Sequence, residues 1–337
     1  MTSRFDQYRA VEEAVGWVDR GSRSRLRVSG PDAAKFLHNV TTNDVKRLPV
    51  GRGCEAFVTS LKGRTLAYVT ILALADSILV RSDPEGLSAA LPHFQKYGVF
   101  DDVEIEDRSL ESSEHHLAGP GAEAWLASAG AALPEEADLS VVATQVLGHD
   151  VLCVRESLTG RPGFTLIALD ENHATLGDAL QAAATDSKLV RLDDEVFEAL
   201  RIEAGIPVVG REVLETNLPQ EINRDDRAIS FVKGCYIGQE TVARLDALGH
   251  VNRIIKGLIF RSGDAPPPVG TALEADGKNV GAITSAVFSP GWNACVGMAL
   301  IRVAHAEAGA ELSWSDPESG EPRVAVVADP PMFPPRA

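Results

Sequence analysis

Segment 229–253, ISFVKGCYIGQETVARLDALGHVNR, holds the residues with the clearest chemical potential in the 337-residue chain. Its pattern predicts a short strand at ISFV, a turn at Lys233, and a helix that ends at Gly249. Cys235 then lies shortly before a helix N-terminus and beside a lysine, and both surroundings favour a thiolate over a thiol. Gly238 would let the backbone approach a ligand closely. A small buried cysteine in a glycine-rich turn fits the same pattern, so the residues alone leave both roles open.

Glu203 is the second candidate, in a segment (193–207, DDEVFEALRIEAGIP) whose apolar spacing predicts a helix. It falls in the last turn, where the helix dipole disfavours an anion by a few tenths to about 1 kcal/mol. It also borders the predicted buried stripe, three residues after Leu200. A partly buried carboxylate in that place needs a partner. A ligand could supply it, or a salt bridge to Arg201 or Arg211.

Other kinds of chemistry find little support in the composition. The four cysteines, at positions 54, 153, 235 and 295, form no C-x-x-C pair, and the eight histidines show no metal-ligand spacing. His115 and His116 fit a strand pair better than a metal site, so no metal is expected. A net charge of -16 without a basic run argues against nucleic-acid and anionic-membrane partners. No apolar run is long enough for a membrane helix, and no secretory pattern opens the chain, so a reduced cytoplasm is expected.

The elements that must position these residues form an α+β region followed by an all-β region. VSGPDAAKFL at 28–37 aligns with LAGPGAEAWL at 117–126, 89 residues further along, which predicts a duplicated α+β unit. Coincidence is the alternative, because Gly-Pro often opens a helix. Alternating strand patterns separated by Gly/Pro turns follow residue 250 and predict a small barrel. We therefore predict a two-subdomain region over 1–250, a β-barrel over 251–330, and an irregular tail over 331–337.

The motif K-G-C-Y-I-G-Q-E-x-x-x-R over 233–244 resembles the signature of the YgfZ family of folate-binding proteins, which includes mitochondrial iron–sulfur assembly relatives. Further likeness runs along most of the chain. FLHNVTTNDV at 36–45 and NLPQEIN at 217–223 are similar to other segments of that family. RIEAGIPVVG at 201–210 resembles a segment shared with the glycine-cleavage T-protein, and 253–315 resembles the T-protein's C-terminal barrel.

The resemblance implies duplicated ferredoxin-like units plus a C-terminal barrel, arranged around a central channel that binds tetrahydrofolate. It does not say which one-carbon group the folate carries. By the same resemblance, Cys235 is expected to be the functional thiol. Glu203 becomes the acceptor for the pterin N–H groups, and two arginines become candidates for the folate glutamate tail because guanidinium binds carboxylate in a bidentate way. The implied folate-contacting residues are Asn43, Arg201, Glu203, Lys233, Gly234, Tyr236, Gly238, Gln239, Glu240, Arg244 and Arg253, with Arg244 and Arg253 on the tail.

One departure from the T-protein pattern bears on mechanism. That family has a Gly-Gly-Ile-x-Asp-Asp segment with a catalytic aspartate, and LKGRTLAYV here puts Ala67 and Tyr68 at the carboxylate positions. Neither is an acid or base near neutral pH. We therefore expect little aminomethyl transfer and favour folate-dependent iron–sulfur cluster assembly or repair through Cys235. The expected partners are assembly machinery or client proteins, and a monomer is expected. An ordinary one-carbon transferase whose acid comes from elsewhere, and a non-catalytic folate scaffold, are the alternatives.

Overall fold

The structure is a computed structural model that describes residues 2–21, 23–169, 173–186, 189–249, 251–261, 265–316 and 319–334. The last three residues of the predicted irregular tail lie outside these ranges. Among the described helices, none combines the length and the apolar character needed to cross a membrane.

The first α+β unit is a five-stranded antiparallel sheet with two helices packed on one face. Its elements are β2 (Ser24–Ser29), α2 (Ala33–Val40), β3 (Arg52–Thr59), β4 (Thr65–Ala73), β5 (Ile78–Ser82), α3 (Pro84–Tyr97) and β6 (Glu104–Asp107). The strand order is β3-β4-β5-β2-β6. Alternate strand residues such as Val58, Ala67 and Val69 pack against Phe36 of α2 and Phe94 of α3. Along the first part of β4, buried and half-buried residues alternate with the period of two that a strand imposes.

The second unit repeats the same order of elements. They are β7 (Ser113–Ala118), α4 (Ala122–Ser128), β8 (Val141–Val146), β9 (His149–Arg155), β10 (Gly163–Ala168), α5 (His173–Asp186) and β11 (Leu189–Arg191). Its strand order is β8-β9-β10-β7-β1-β11, the order of the first sheet with β1 (Val15–Asp19) inserted before the last strand. The predicted duplication is therefore confirmed at the level of topology. β1 follows an N-terminal helix, α1 (Arg4–Glu13), which was not anticipated.

The two halves meet through a buried ionic cluster at equivalent positions of the repeat. Arg25 in β2 and Glu114 in β7 are 89 residues apart, and their side chains contact each other at 3.4 Å. Arg81 donates to Glu114 and to Glu156, each at 2.8 Å. All four side chains are buried. The cluster therefore joins the subdomains by charge pairing away from water, where an unpaired ion is costly.

The remaining chain links the duplicated region to a closed barrel. Helix α6 (Asp194–Ala204) ends at Gly205, whose left-handed backbone (φ 71°) is the conformation that commonly ends a helix. Two further helices follow, α7 (Asp225–Ala228) and α8 (Gln239–Leu248). The barrel strands are β12 (Arg253–Phe260), β13 (Ala272–Ala275), β14 (Lys278–Ser289), β15 (Ala294–Arg302), β16 (Glu311–Ser315) and β17 (Pro322–Ala328).

One local prediction in this region is wrong. The ISFV segment at 229–232 forms no strand but an irregular turn directly after α7. Phe231 and Val232 are exposed there, so the apolar run that suggested a strand does not pack into a sheet.

Candidate functional site

A cluster of polar side chains covers the face of the first sheet that lies opposite its helices. Glu55 in β3 and Tyr68 in β4 share this face, and the Tyr68 hydroxyl donates a short hydrogen bond to the Glu55 carboxylate. Arg224, just before α7, donates to Glu55 at 2.7 Å and to the Tyr68 oxygen at 3.2 Å. The Tyr68 ring packs against Phe57, with the ring centroids 5.3 Å apart. The result is a pair held in one geometry, with the carboxylate buried and the phenol half-buried.

Two guanidinium groups hold the Glu55 carboxylate in place. Arg227 donates to Glu55 at 2.8 Å, on top of the contacts from Arg224. Burial raises the pKa of Tyr68, and the nearby Glu55 carboxylate raises it further. The phenol therefore stays protonated near neutral pH and acts as a hydrogen-bond donor. Proton exchange between a phenol and a carboxylate is the chemistry that this arrangement can support.

Ala67 and Tyr68 do not share the site. Ala67 is fully buried in the core beneath α2 and α3, because neighbouring residues of a strand point to opposite faces. Only Tyr68 faces the polar cluster. A carboxylate does lie next to Tyr68, because Glu55 on the adjacent strand accepts its hydrogen bond.

Asn43, in the TTND turn at 41–44, and Lys233, in the loop before Cys235, hold these two segments beside the cluster. The Asn43 side chain donates to the backbone oxygens of Glu55 (2.7 Å) and Arg227 (2.8 Å). The Lys233 ammonium donates to the backbone oxygens of Thr41 (2.7 Å), Asn43 (2.8 Å) and the last turn of α2. Burial lowers the pKa of Lys233 to about 8. These contacts give both residues a positioning role beside the cluster.

Cys235 lies exposed in the loop between Lys233 and α8. We expected a neighbouring lysine and a helix N-terminus to favour its thiolate, and the structure differs on both points. The Lys233 ammonium is bonded to backbone carbonyls, and α8 begins only at Gln239, four residues after the thiol. Gly238 has a left-handed backbone (φ 83°), and a Cβ there would lie 2.5 Å from the Ser60 carbonyl oxygen. A close approach that needs glycine is therefore made to the β3–β4 turn, and the approach of a ligand at Gly238 stays a prediction.

The other residues of the motif are spread over the surface near this loop. Tyr236 is buried, with the Lys233 ammonium 4.8 Å from its ring centroid, and burial raises its pKa to about 12. Gly234, Glu240 and Arg244 are exposed, and Gln239 is half-buried. Arg253, at the start of the barrel, pairs with Glu221 at 3.3 Å. Their predicted contacts to folate stay predictions.

Glu203 occupies a separate, fully buried position where α1, α6, the second subdomain and the barrel meet. Its carboxylate accepts hydrogen bonds from Tyr8 (2.7 Å), Ser289 (2.5 Å) and Arg161 (3.2 Å). Burial raises its pKa, and these donors oppose the shift. The partner is thus Arg161 and not Arg201 or Arg211. A pterin ring would have to replace part of this protein shell to reach the carboxylate.

The predicted contact of Arg201 with folate is not supported by its surroundings. This guanidinium is buried and donates to Glu198, Glu212, Ser285 and the Ile206 carbonyl. All five of its N–H groups then have protein acceptors. Arg201 is therefore a structural residue that ties α6 to the barrel.

Sequence reasoning missed several of these residues. Glu55 could have been found, because it is a charged residue within a strand whose following residues are apolar. Arg161, Tyr8 and Ser289 carried no comparable signal, since each meets Glu203 only through long-range packing.

Comparison with known proteins identifies the family. Residues 3–233 match the GCVT N-terminal domain, and residues 253–334 match the glycine cleavage T-protein C-terminal barrel domain. The chain therefore belongs to the glycine-cleavage T-protein family.

Individual relatives are distant but match over most of their length. The chain is 28% identical to an aminomethyltransferase of Symbiobacterium thermophilum, over 92% of this chain and 84% of that protein. It is also 28% identical to a chloroplastic protein of Arabidopsis thaliana, named only as a transferase, over 92% of this chain and 71% of that protein. The crystal structure of aminomethyltransferase T from Bartonella henselae superposes with a TM-score of 0.88 at 21% identity, covering 99% of this chain and 90% of that one. This likeness establishes the fold.

Proposed function

We propose that the chain is a tetrahydrofolate-dependent one-carbon transferase of the aminomethyltransferase class. The observation that carries the proposal is the Glu55–Tyr68 pair on the face of the first sheet opposite its helices, in a chain whose relatives are named aminomethyltransferases over most of its length. In the sequence, the lack of a carboxylate at positions 67 and 68 argued against aminomethyl transfer. Glu55 supplies one from the neighbouring strand.

The roles within the pair follow from its hydrogen bonds. Glu55 is the base, and Tyr68 relays the proton: the phenol gives its proton to the Glu55 carboxylate while its oxygen takes up a proton from the substrate. Arg224 donates to both members, so it holds their separation while the proton moves. A positioned acid–base group of this kind contributes about 10²–10⁴-fold to a rate.

We expect Glu55→Gln and Tyr68→Phe to lower the rate of methylenetetrahydrofolate formation from an aminomethylated carrier by about 10²–10⁴-fold. Glutamine keeps the size of the side chain but is not a base, and phenylalanine keeps the ring without the hydroxyl. The measurement is a reconstituted transfer assay. Glu106→Gln is the matched control, because Glu106 pairs with Arg27 in the edge strand of the same sheet. Full activity in both Glu55 and Tyr68 variants would contradict the assigned roles, and an inactive wild-type chain would contradict the transferase proposal.

Folate binding is expected to depend on Glu203. Loss of a charge-assisted hydrogen bond costs roughly 1.5–3 kcal/mol, which is about tenfold to more than a hundredfold in affinity. We expect wild-type protein to bind tetrahydrofolate or its formyl form with a micromolar-scale Kd, and Glu203→Gln to weaken binding by this factor. Isothermal titration calorimetry provides the measurement, with thermal melting as the check on folding.

Ser289→Ala is the matched control for that titration. It removes a donor to Glu203 but leaves the carboxylate in place. If the pterin binds Glu203, this variant frees an acceptor and affinity stays the same or rises. Equal losses in Ser289→Ala and Glu203→Gln would show that the cluster matters only for folding.

A second candidate function is iron–sulfur cluster assembly or repair, as the resemblance to YgfZ implies. The observation that favours it is the exposed thiol of Cys235, in a loop that also exposes the apolar side chains of Phe231 and Val232 a few residues earlier. Such a loop could present the thiol to assembly machinery or to a client protein. A deletion strain scored for iron–sulfur enzyme activities, with and without a folate supply, separates this function from one-carbon transfer.

A further inference from the structure

A groove with a volume of about 460 Å³ lies on the outside of the barrel, where β12, β14 and β15 face the loop at 210–214. Three arginines line it, namely Arg211 from the loop, Arg253 from β12 and Arg302 from β15. Its described lining residues include no aspartate or glutamate. In a chain with a net charge of -16, the groove is therefore a local concentration of positive charge.

Two of these arginines lie directly opposite each other. Arg253 and Arg302 are register partners in the antiparallel β12–β15 pair, so their side chains leave the same face of the sheet. The next pair on that face, Ile255 and Leu300, packs against α6, which places the arginines on the outer face of the barrel. Like charges directly opposite in a sheet are destabilising. An anion bound between the two guanidinium groups would remove this repulsion.

The protein neutralises these charges only in part. Arg302 is exposed, and none of the ion pairs formed by the described residues includes it. Arg253 donates to Glu221 at 3.3 and 3.4 Å, and Arg211 donates to Glu198 at 2.6 Å. A guanidinium has five N–H donors, so these contacts leave most of the donors of each arginine available to a ligand. The side chains of Arg253 and Arg211 are 43% and 48% exposed, so a ligand can reach them from solvent.

The lining favours a phosphate monoester over other anions. A phosphate group carries about −1.5 to −2 charges at pH 7 and offers three acceptor oxygens, which suits three guanidinium groups. A carboxylate carries one charge on two oxygens, so it would leave one arginine without a partner. Leu214, Val269 and Leu300 add apolar surface to the groove, against which the organic part of a phosphate ester can pack.

We propose that this groove binds an organic phosphate monoester. Arg253 and Arg302 donate to the phosphate oxygens from the barrel, Arg211 donates from the loop, and the organic part packs against Leu214 and Leu300.

This binding site is separate from the sites of the proposed transfer reaction. Neither Glu55 nor Tyr68 lines the groove. Ser289, which donates to Glu203, lies at the end of β14, whereas Ala282 of the same strand lines the groove. A strand rises about 3.3 Å per residue, so these two positions are roughly 20 Å apart.

The test uses the full chain and phenyl phosphate as probe, followed by isothermal titration calorimetry. We expect saturable one-to-one binding, with phenol binding at least about tenfold more weakly because it lacks the charge. Inorganic phosphate is expected to bind more weakly than phenyl phosphate, because it has no apolar part to pack against the groove.

Arg302→Gln is expected to weaken phenyl phosphate binding by at least about tenfold. Without ligand this variant should melt no lower than wild type, because it removes one of two opposed charges from an exposed position. Arg261→Gln is the matched control, since it removes the same charge from an exposed arginine just after the other end of β12. It is expected to leave the affinity nearly unchanged.

Three results would overturn the proposal. The first is no saturable binding of phenyl phosphate to folded wild-type protein. The second is an equal loss in Arg302→Gln and Arg261→Gln, which would show attraction to exposed arginines in general. The third is loss of phenyl phosphate binding when tetrahydrofolate is saturating, which would make Arg253 part of the folate site and the groove no separate site.

Discussion

Replacing Glu114 by glutamine is expected to lower the free energy of unfolding by about 3–5 kcal/mol, the cost of breaking a buried ion pair. Glu114 is fully buried and pairs with Arg81 and Arg25. The amide keeps the volume of the side chain but removes its negative charge. Arg81 and Arg25 then lie buried between the subdomains with too little negative charge to balance them. Urea denaturation followed by circular dichroism provides the measurement.

The control for this prediction is Glu123→Gln. Glu123 pairs with Arg155 at 3.2 Å in the same subdomain, but its side chain is 54% exposed. Exposed pairs contribute about 0–1 kcal/mol. Similar losses in the two variants would mean that the buried cluster does not hold the halves together.

The same cluster also makes the free energy of unfolding depend on pH in the acid range. Burial would raise the pKa of Glu114, but Arg81, Arg23 and Arg25 outweigh it and hold the pKa well below its ordinary value of 4.5. The unfolded chain then binds more protons than the folded one at acid pH, so this contribution is present above about pH 4.5 and is lost as the pH falls. Stability of Glu114→Gln should therefore depend less steeply on pH in that range than wild-type stability.

Much of the fold was predictable because its elements have local signals. The stop at Gly205 and the repeat that links 28–37 to 117–126 both lie within short stretches of sequence. Helix α1 lacked such a signal. Its buried residues include Gln7 and Tyr8, so its inner face is not an apolar stripe.

The site was only partly predictable, because its partners meet across long stretches of chain. Arg224 and Glu55 are 169 residues apart, and Tyr8 and Glu203 are 195 apart. The family resemblance pointed to the segments that contain Asn43, Lys233 and Glu203. It did not predict which protein groups these side chains would form hydrogen bonds with. Nothing in the sequence alone showed that the donors of Arg201 would all be used by Glu198, Glu212 and other protein groups.

Cys235 is expected to react with an alkylating agent at pH 7.5 at least about 100-fold faster than Cys54, Cys153 or Cys295, because thiolates are the reactive form and access is required. Only Cys235 is exposed among the four. Burial raises the pKa of Cys54 and of Cys153 to about 12, and Cys295 is buried in the barrel. Labelling rates over a pH series, read by mass spectrometry of the four cysteine peptides, provide the measurement.

The same thiol separates the two proposed functions. If Cys235 acts in iron–sulfur maintenance, Cys235→Ser folds normally, since the side chain is exposed and serine has nearly its shape, but it fails to restore iron–sulfur enzyme activities in a deletion strain. Cys54→Ser is the control, and it is expected to restore them if it folds. One-carbon transfer through Glu55 and Tyr68 predicts instead that Cys235→Ser keeps full transfer activity. Slow labelling of Cys235 together with full rescue by the serine variant would make the thiol dispensable, and the maintenance function would lose its chemical basis.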